Sequence, residues 1–174
     1  MPASALLYTY HPSPVGDLLL AGDGDALHFV SFPSGSKAFR PWPEWVRDGA
    51  PFKEAGRQLD AYFAGDLKRF DLPLHLGGTE FQRKVWLALA DIPFGETRTY
   101  GWQAKLIGAP LSAARAVGAA NGSNPVAIIL PCHRVIGSTG ALTGFGGGLP
   151  TKKYLLALEN ALPDTAEVRQ LSLL

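Results

Sequence analysis

An α/β architecture in two parts, a small antiparallel sheet with a helix followed by a mostly helical unit, is predicted by three features of this sequence. Residues 6–32 break into short apolar and aromatic segments separated by proline and glycine-aspartate clusters, the pattern of strands joined by tight turns. Beyond residue 78, apolar positions recur at helical spacing between capping residues. Gly77-Gly78 forms the natural joint between these regimes. We therefore expect an N-terminal α/β part over residues 1–78, a helical part with a winged-helix-like arrangement over 79–163, and a loose tail over 164–174. With 174 residues, 47% of them hydrophobic, the chain can bury a proper core, which excludes extensive disorder.

Leu6 to His11, Gly16 to Ala21 and Ala26 to Phe32 read as three antiparallel strands, divided by Pro12-Ser13-Pro14 and Gly22-Asp23-Gly24-Asp25. Pro33, Pro41, Pro43 and Pro51 make the next stretch a loop, with Trp42 and Trp45 to pin it. Phe52, Ala55, Leu59, Tyr62 and Phe63 then follow one helical face, and Gly65 supplies the stop. Phe70 to Leu76 is expected to add a strand.

In the second half, Thr79 caps a helix over Phe81 to Ala90 that ends before Pro93, and Glu80 suits the dipole of its first turn. Thr99 can cap Tyr100 to Ile107, and Gly108-Ala109-Pro110 breaks the chain. Ser112 can cap Ala113 to Ala120. Two helices across a short glycine-containing turn outline a helix-turn-helix, an arrangement that also arises in ordinary helical packing. The second helix is built from small residues, with Arg115 as its only charge, so it can pack closely on protein or on nucleic acid. Asn121-Gly122-Ser123-Asn124-Pro125 reads as a turn feeding the apolar strand Val126 to Leu130. Pro150 suits the first turn of a last helix through Asn160, with Tyr154, Leu155 and Leu158 as its apolar face.

Net charge is +1, but residues 1–78 carry 7 Lys and Arg against 9 Asp and Glu, whereas residues 79–163 carry 8 against 4. The basic excess in the second part fits a phosphate-binding face and equally fits ordinary surface variation. No stretch approaches the ~20 apolar residues of a membrane span, and Met1 to Gly16 has no basic start and no long apolar run, so neither export nor membrane insertion is expected. A single cysteine excludes an intramolecular disulfide and a multi-cysteine metal site, so a reducing, cytoplasmic setting is expected. Gly144 to Gly148 does not spell a dinucleotide fingerprint, because Leu149 stands at the final glycine position.

That cysteine, Cys132, lies in Leu130-Pro131-Cys132-His133-Arg134-Val135-Ile136, directly against one of four histidines. Two readings are open on composition: a buried small hydrophobe after an apolar run, or a nucleophile activated by a nearby base. Neighbours on a strand face opposite ways, so His133 reaches the thiol only through a turn or a bridging water. Pro131 makes such a break plausible.

Pro131-Cys132-His133-Arg134-Val135, followed by Ile136 to Leu142, resembles the active-site segment of the O6-alkylguanine-DNA alkyltransferases, and the likeness runs from about Thr79 to Asn160. The resemblance implies one-step, single-turnover transfer of the alkyl group of O6-alkylguanine in double-stranded DNA onto Cys132, by a monomer that needs no cofactor or metal. It further implies that His133 takes the thiol proton through a water, that Glu159 orients His133, and that Tyr100 donates a hydrogen bond to the purine. Arg115 matches the finger that fills the gap left by the flipped nucleotide, on a surface that includes Ser112, Ala114 and Ala116. Asn124 matches the residue tying the turn before the cysteine, and Val135, Phe145 and Gly146 fall in the base pocket. Two departures stand out: Phe145 replaces a tyrosine common in the family, and one extra residue lies between Tyr100 and Arg115, near Pro110. A lesion binder without chemistry and a Cys-His hydrolase are the rival functions.

Overall fold

The computed structural model describes residues 5–36 and 38–163; the expected tail, 164–174, lies outside them. Strands β1 (Leu7–His11), β2 (Leu18–Gly22) and β3 (Leu27–Ser31) form an antiparallel meander. Turn chemistry sets their spacing: the Asp23 carboxylate accepts the amides of Asp25 and Ala26 at 2.9 and 2.8 Å. Strand β2 lies between β3 and β1 and is buried throughout, which explains its unbroken run of apolar residues.

Two expectations about this part need correction. The proline-rich loop contributes a two-residue strand, β4 (Val46–Arg47), parallel to β1, so the sheet is mixed rather than purely antiparallel. Stacking of Phe29 on Phe39 and Trp45, and of Trp45 on Trp42, holds the loop against the sheet. Phe70 to Leu76 forms no strand; it is held to β3 by one isolated bridge, Leu74 opposite Leu27, and by the His75 ring stacked on His28. The other half of that edge is taken by Pro125 to Ala127, whose backbone bonds to Val30 on both sides. The edge of β3 is thus shared between its own part and the one that follows.

Helix α1 (Lys53–Phe63) buries Ala55, Leu59 and Tyr62 and ends at Gly65, whose φ of 81° only glycine adopts freely. Helix α2 (Glu80–Ala88) starts with a capping box in which Thr79 and Gln82 exchange side-chain and backbone bonds at 3.0 and 3.1 Å. A short strand β5 (Arg98–Thr99) leads into α3 (Tyr100–Leu106), where Thr99 accepts the Trp102 amide. Ser112 is not a helix cap. Leu111–Ala113 wind into a 3-10 turn behind Pro110, and α4 (Ala114–Gly122) follows with Ala113 at its uncapped start. Helix α4 extends into the expected turn, because Asn121 is buried and paired with Gln103 of α3 at 2.7 and 3.0 Å. Strand β6 (Val135–Ile136) pairs with β5, and α5 (Leu149–Leu158) closes the described chain.

The apolar run before the cysteine is not an extended strand. Leu130 bonds back to Val126, Ile129 bonds to Ala127, and Ile128 adopts a φ of 72°. Among the described residues only Val30 pairs with it from elsewhere, and the run doubles back on itself. Along α5 and its C-terminal cap the buried stripe is Lys152, Leu155, Leu156 and Glu159, at i, i+3, i+4 and i+7, whereas Tyr154 is exposed. One continuous core joins Leu18, Leu20 and Val30 of the sheet, Leu59 and Tyr62 of α1, Val85 and Leu89, Val117, and Val135 and Leu155. Each fully buried leucine stabilises the fold by about 2 kcal/mol.

Candidate active site

Cys132, His133 and Arg134 share one 3-10 turn behind Pro131. Its tight winding replaces the alternating geometry of a strand, so neighbouring side chains can serve one site. Asn124 builds the approach: its Nδ2 donates to the Leu130 carbonyl at 2.7 Å, and its Oδ1 accepts the Val126 amide at 3.0 Å. These bonds tie the end of α4 to the segment that presents Cys132.

His133 has no exposed surface, and its Nε2 lies 2.5 Å from Glu159 Oε2. The same oxygen accepts the Tyr62 hydroxyl at 2.6 Å. Glu159 Oε1 accepts Arg134 Nε at 2.7 Å and the Gly95 amide at 3.3 Å, while Arg134 Nη1 donates to the Ile92 carbonyl at 2.7 Å. Burial alone pushes the Glu159 carboxyl up, but the His133 and Arg134 bonds outweigh it and hold the group down at about 2. An anionic Glu159 places the His133 proton on Nε2 and leaves Nδ1 as the basic nitrogen. Among the described residues, Nδ1 has no hydrogen-bond partner. Burial lowers the His133 pKa and Glu159 opposes that shift, so the imidazole is neutral and able to accept a proton.

Burial pushes the Cys132 thiol up, against the Asn124 hydrogen bond and the charge of Lys152. The resting residue is therefore a thiol, and its nucleophilicity depends on a base. Lys152 is buried on α5 and donates to the Val135 carbonyl at 2.6 Å and the Thr143 carbonyl at 3.0 Å. Burial draws its pKa down to about 8, and the nearby Cys132 opposes this. Its two bonds fasten β6 to the loop that carries Phe145.

A cavity of about 40 Å3 beside Cys132 is lined by Asn124, Ala127, Phe145, Gly146 and Gly147, and by Phe32 from the end of β3. Phe145 packs edge-on against Phe32 at 5.4 Å. The Tyr100 hydroxyl lies 3.3 Å from both oxygens of Thr143, in the loop between β6 and α5. Arg115 and Ala116 are exposed on α4, Ala114 is half-buried, and Ser112 is exposed in the preceding turn. The structure thus gathers Cys132, His133 and Glu159 into one buried cluster and sets Arg115 apart on an open helix face.

Models of the 6-O-methylguanine DNA methyltransferase family match nearly the whole chain, the ribonuclease-like domain over residues 6–76 and the DNA binding domain over residues 80–161. The methylated-DNA–protein-cysteine methyltransferase of Methanosarcina acetivorans is 54% identical over 156 residues, covering 90% of this chain and 99% of the relative. This chain belongs to that family. The methyltransferase of the same name from Mycobacterium tuberculosis is 53% identical over 150 residues, covering 86% of this chain and 89% of its own. The crystal structure of Mycobacterium tuberculosis OGT in complex with DNA superimposes with a TM-score of 0.84 at 52% identity, over 89% of this chain and 93% of that one. The Mycobacterium tuberculosis O6-methylguanine methyltransferase gives 0.83 at 49% identity, over 94% and 99%. The fold class read from the sequence is therefore that of the methyltransferase family.

Four contributors to this methyltransferase's buried cluster escaped sequence reasoning. Arg134 lay inside the motif, and its buried charge had no local signal. Lys152 was detectable as the lone cation on the stripe with Leu155, Leu156 and Glu159. Tyr62 reads only as a core residue of α1, and the Gly95 amide carries no side-chain signal at all.

Proposed function

We propose that the protein repairs O6-alkylguanine in double-stranded DNA by moving the alkyl group irreversibly onto Cys132, once per molecule. The observation that carries this reading is the buried His133–Glu159 pair beside the only cysteine, with His133 Nδ1 as its free basic position. The thiol proton passes through a water to His133 Nδ1, and Glu159 stabilises the imidazolium that results. The sulfur then bonds to the alkyl carbon as the carbon–O6 bond breaks, and the electron pair of that bond stays on the guanine. Tyr100 donates a hydrogen bond to the purine and stabilises this charge, a contribution of a few kcal/mol where charge develops in a water-poor site (about 3 kcal/mol for one donor).

A base inside a duplex is inaccessible, so the target nucleotide must rotate out. The exposed Arg115 enters the stack in its place, and Ser112, Ala114 and Ala116 form the small-residue surface that approaches the groove. Val135, Phe145 and Gly146 enclose the flipped base, and Asn124 holds the recognition helix in register with Cys132. Residues 1–78 and 79–163 form the two functional parts. The protein acts as a monomer without cofactor in a cytoplasmic, reducing setting, which keeps Cys132 reduced. The relatives' names and the DNA-bound neighbour support methylated DNA as the substrate. Among the described residues no helix is long and apolar enough to cross a membrane.

Incubation with excess O6-methylguanine duplex followed by peptide mass spectrometry tests the proposal. One added methyl, a gain of about 14 Da from replacing S–H by S–CH3, is expected on the Cys132 peptide alone. Methyl on another residue, or catalytic turnover, would refute it.

A further inference from the structure

The proposed relay is completed from the N-terminal part of the chain. Tyr62 lies 97 residues from Glu159 in sequence, is fully buried, and donates to Glu159 Oε2 at 2.6 Å. Its ring is clamped by Phe63, Phe70 and Phe94 at centroid distances of 5.2, 5.5 and 6.1 Å. The clamp fixes where the hydroxyl points. Phe94 adjoins Gly95, whose amide reaches the other Glu159 oxygen, and it lies beneath the Arg134 guanidinium at 5.8 Å.

Among the described residues the four donors on Glu159 divide equally between its oxygens: His133 and Tyr62 on Oε2, Arg134 and Gly95 on Oε1. A carboxylate that shares an oxygen only with an imidazole at 2.5 Å would compete for the imidazole proton. A second donor on that oxygen lowers its proton affinity, so the proton stays on His133 Nε2 and Nδ1 stays basic. We propose that Tyr62 is a positioning residue for alkyl transfer: its phenol holds Glu159 as an anion, in the orientation that fixes the His133 tautomer. This rests on the reading of Cys132, His133 and Glu159 as the relay. Burial pushes the Tyr62 hydroxyl well above the usual phenol range, so it remains a donor at every working pH. Among the described residues, the other charged or titratable groups facing the cluster are Cys132 and Arg134 on the 3-10 turn, Lys152 and Tyr154 on α5, and Lys68, whose ammonium lies over the Phe94 ring of the clamp at 5.7 Å.

Removing the phenol while keeping the ring should make Glu159 more basic and raise the pH at which the relay takes up its inactivating proton. Single-turnover rates with O6-benzylguanine as free base and with a methylated duplex, measured across pH, are the assay. Tyr62→Phe should move the acid limb up by about one pH unit, the scale of one lost hydrogen bond to a carboxylate, and lower the plateau several-fold with both substrates. In a Glu159→Gln background the same change should leave the profile unaltered. A fluorinated tyrosine placed at position 62 is a stronger donor of nearly the same shape and should move the limb down, which tests the idea even if Tyr62→Phe fails to fold. A purely packing role predicts a lower melting temperature with an unmoved limb. If neither substitution at 62 shifts the limb while Glu159→Gln slows transfer, the role of Tyr62 is refuted and the relay stands. If Glu159→Gln reacts like wild type, the relay itself fails and the Tyr62 proposal falls with it.

Discussion

Replacing Glu159 by glutamine keeps the shape of the side chain and deletes the one negative charge in a cluster that holds His133, Arg134 and Lys152. Arg134, 7% exposed in its side chain, would keep its charge with no counter-ion, and removing one partner of a buried ion pair costs about 3–5 kcal/mol. For a chain of this size that corresponds to a melting temperature lower by about 6–20 °C. The same residue makes the wild type sensitive to acid. Its folded pKa, about 2, lies below the ordinary carboxyl value of 4.5, so its contribution is present above pH 4.5 and lost as pH falls towards 2. Carrying a carboxyl across that interval corresponds to about 3 kcal/mol. His133, depressed by burial, adds a loss in the same direction that begins nearer neutrality. Denaturant unfolding of both proteins from pH 7 to pH 2 is the assay: the gap between them should be about 3–5 kcal/mol at pH 7 and should close between pH 5 and pH 2. Curves that stay parallel through that window would show that Glu159 is not an anion held by His133 and Arg134. Transfer should also slow by about 100-fold, the lower end of what a positioned acid-base group contributes.

Cys132→Ala should abolish alkyl transfer yet bind lesion duplex with little change in gel-shift affinity, since in the proposed function the thiol supplies chemistry and α4 supplies contacts. Arg115→Ala should slow repair of a duplex at least tenfold more than reaction with free O6-benzylguanine, because only the duplex requires a flipped nucleotide; equal slowing would remove the finger role. Gly146→Trp intrudes on the cavity of about 40 Å3 beside Cys132 and should lower the benzyl-to-methyl rate ratio on DNA about tenfold, on the scale of a 1–3 kcal/mol overpacking penalty. An unchanged ratio in a variant that still melts cooperatively would assign that glycine to the turn alone.

Local signals were sufficient at several element ends where the deciding atoms lie within three or four residues of one another. The Thr79–Gln82 capping box, the Thr99 cap, the Gly65 stop and the proline start of α5 are each closed by neighbouring side chains or fixed backbone angles, so their order in the chain determines them. The string from Pro131 to Val135 pointed to the site through its resemblance to the alkyltransferase active-site segment, where composition alone left a buried hydrophobe and a nucleophile both open. Tertiary structure decided what required partners from elsewhere. Val126 to Leu130 is apolar enough for a strand, but among the described residues only Val30 pairs with it from elsewhere, and the chain folds back under the Asn124 clamp. Ser112 had the right chemistry for a cap and lost that position when Pro110 and Leu111 began a 3-10 turn ahead of α4. The resemblance assigned Glu159 to orienting His133, but its further donors Tyr62, Gly95 and Arg134 met it only when α1, the Ile92–Gly95 segment and the cysteine turn packed around it. A partner 97 residues away leaves no periodicity in the sequence. Which polar groups meet in a core is set by how the elements pack, because a buried charge takes whichever donors the packing brings within hydrogen-bond reach.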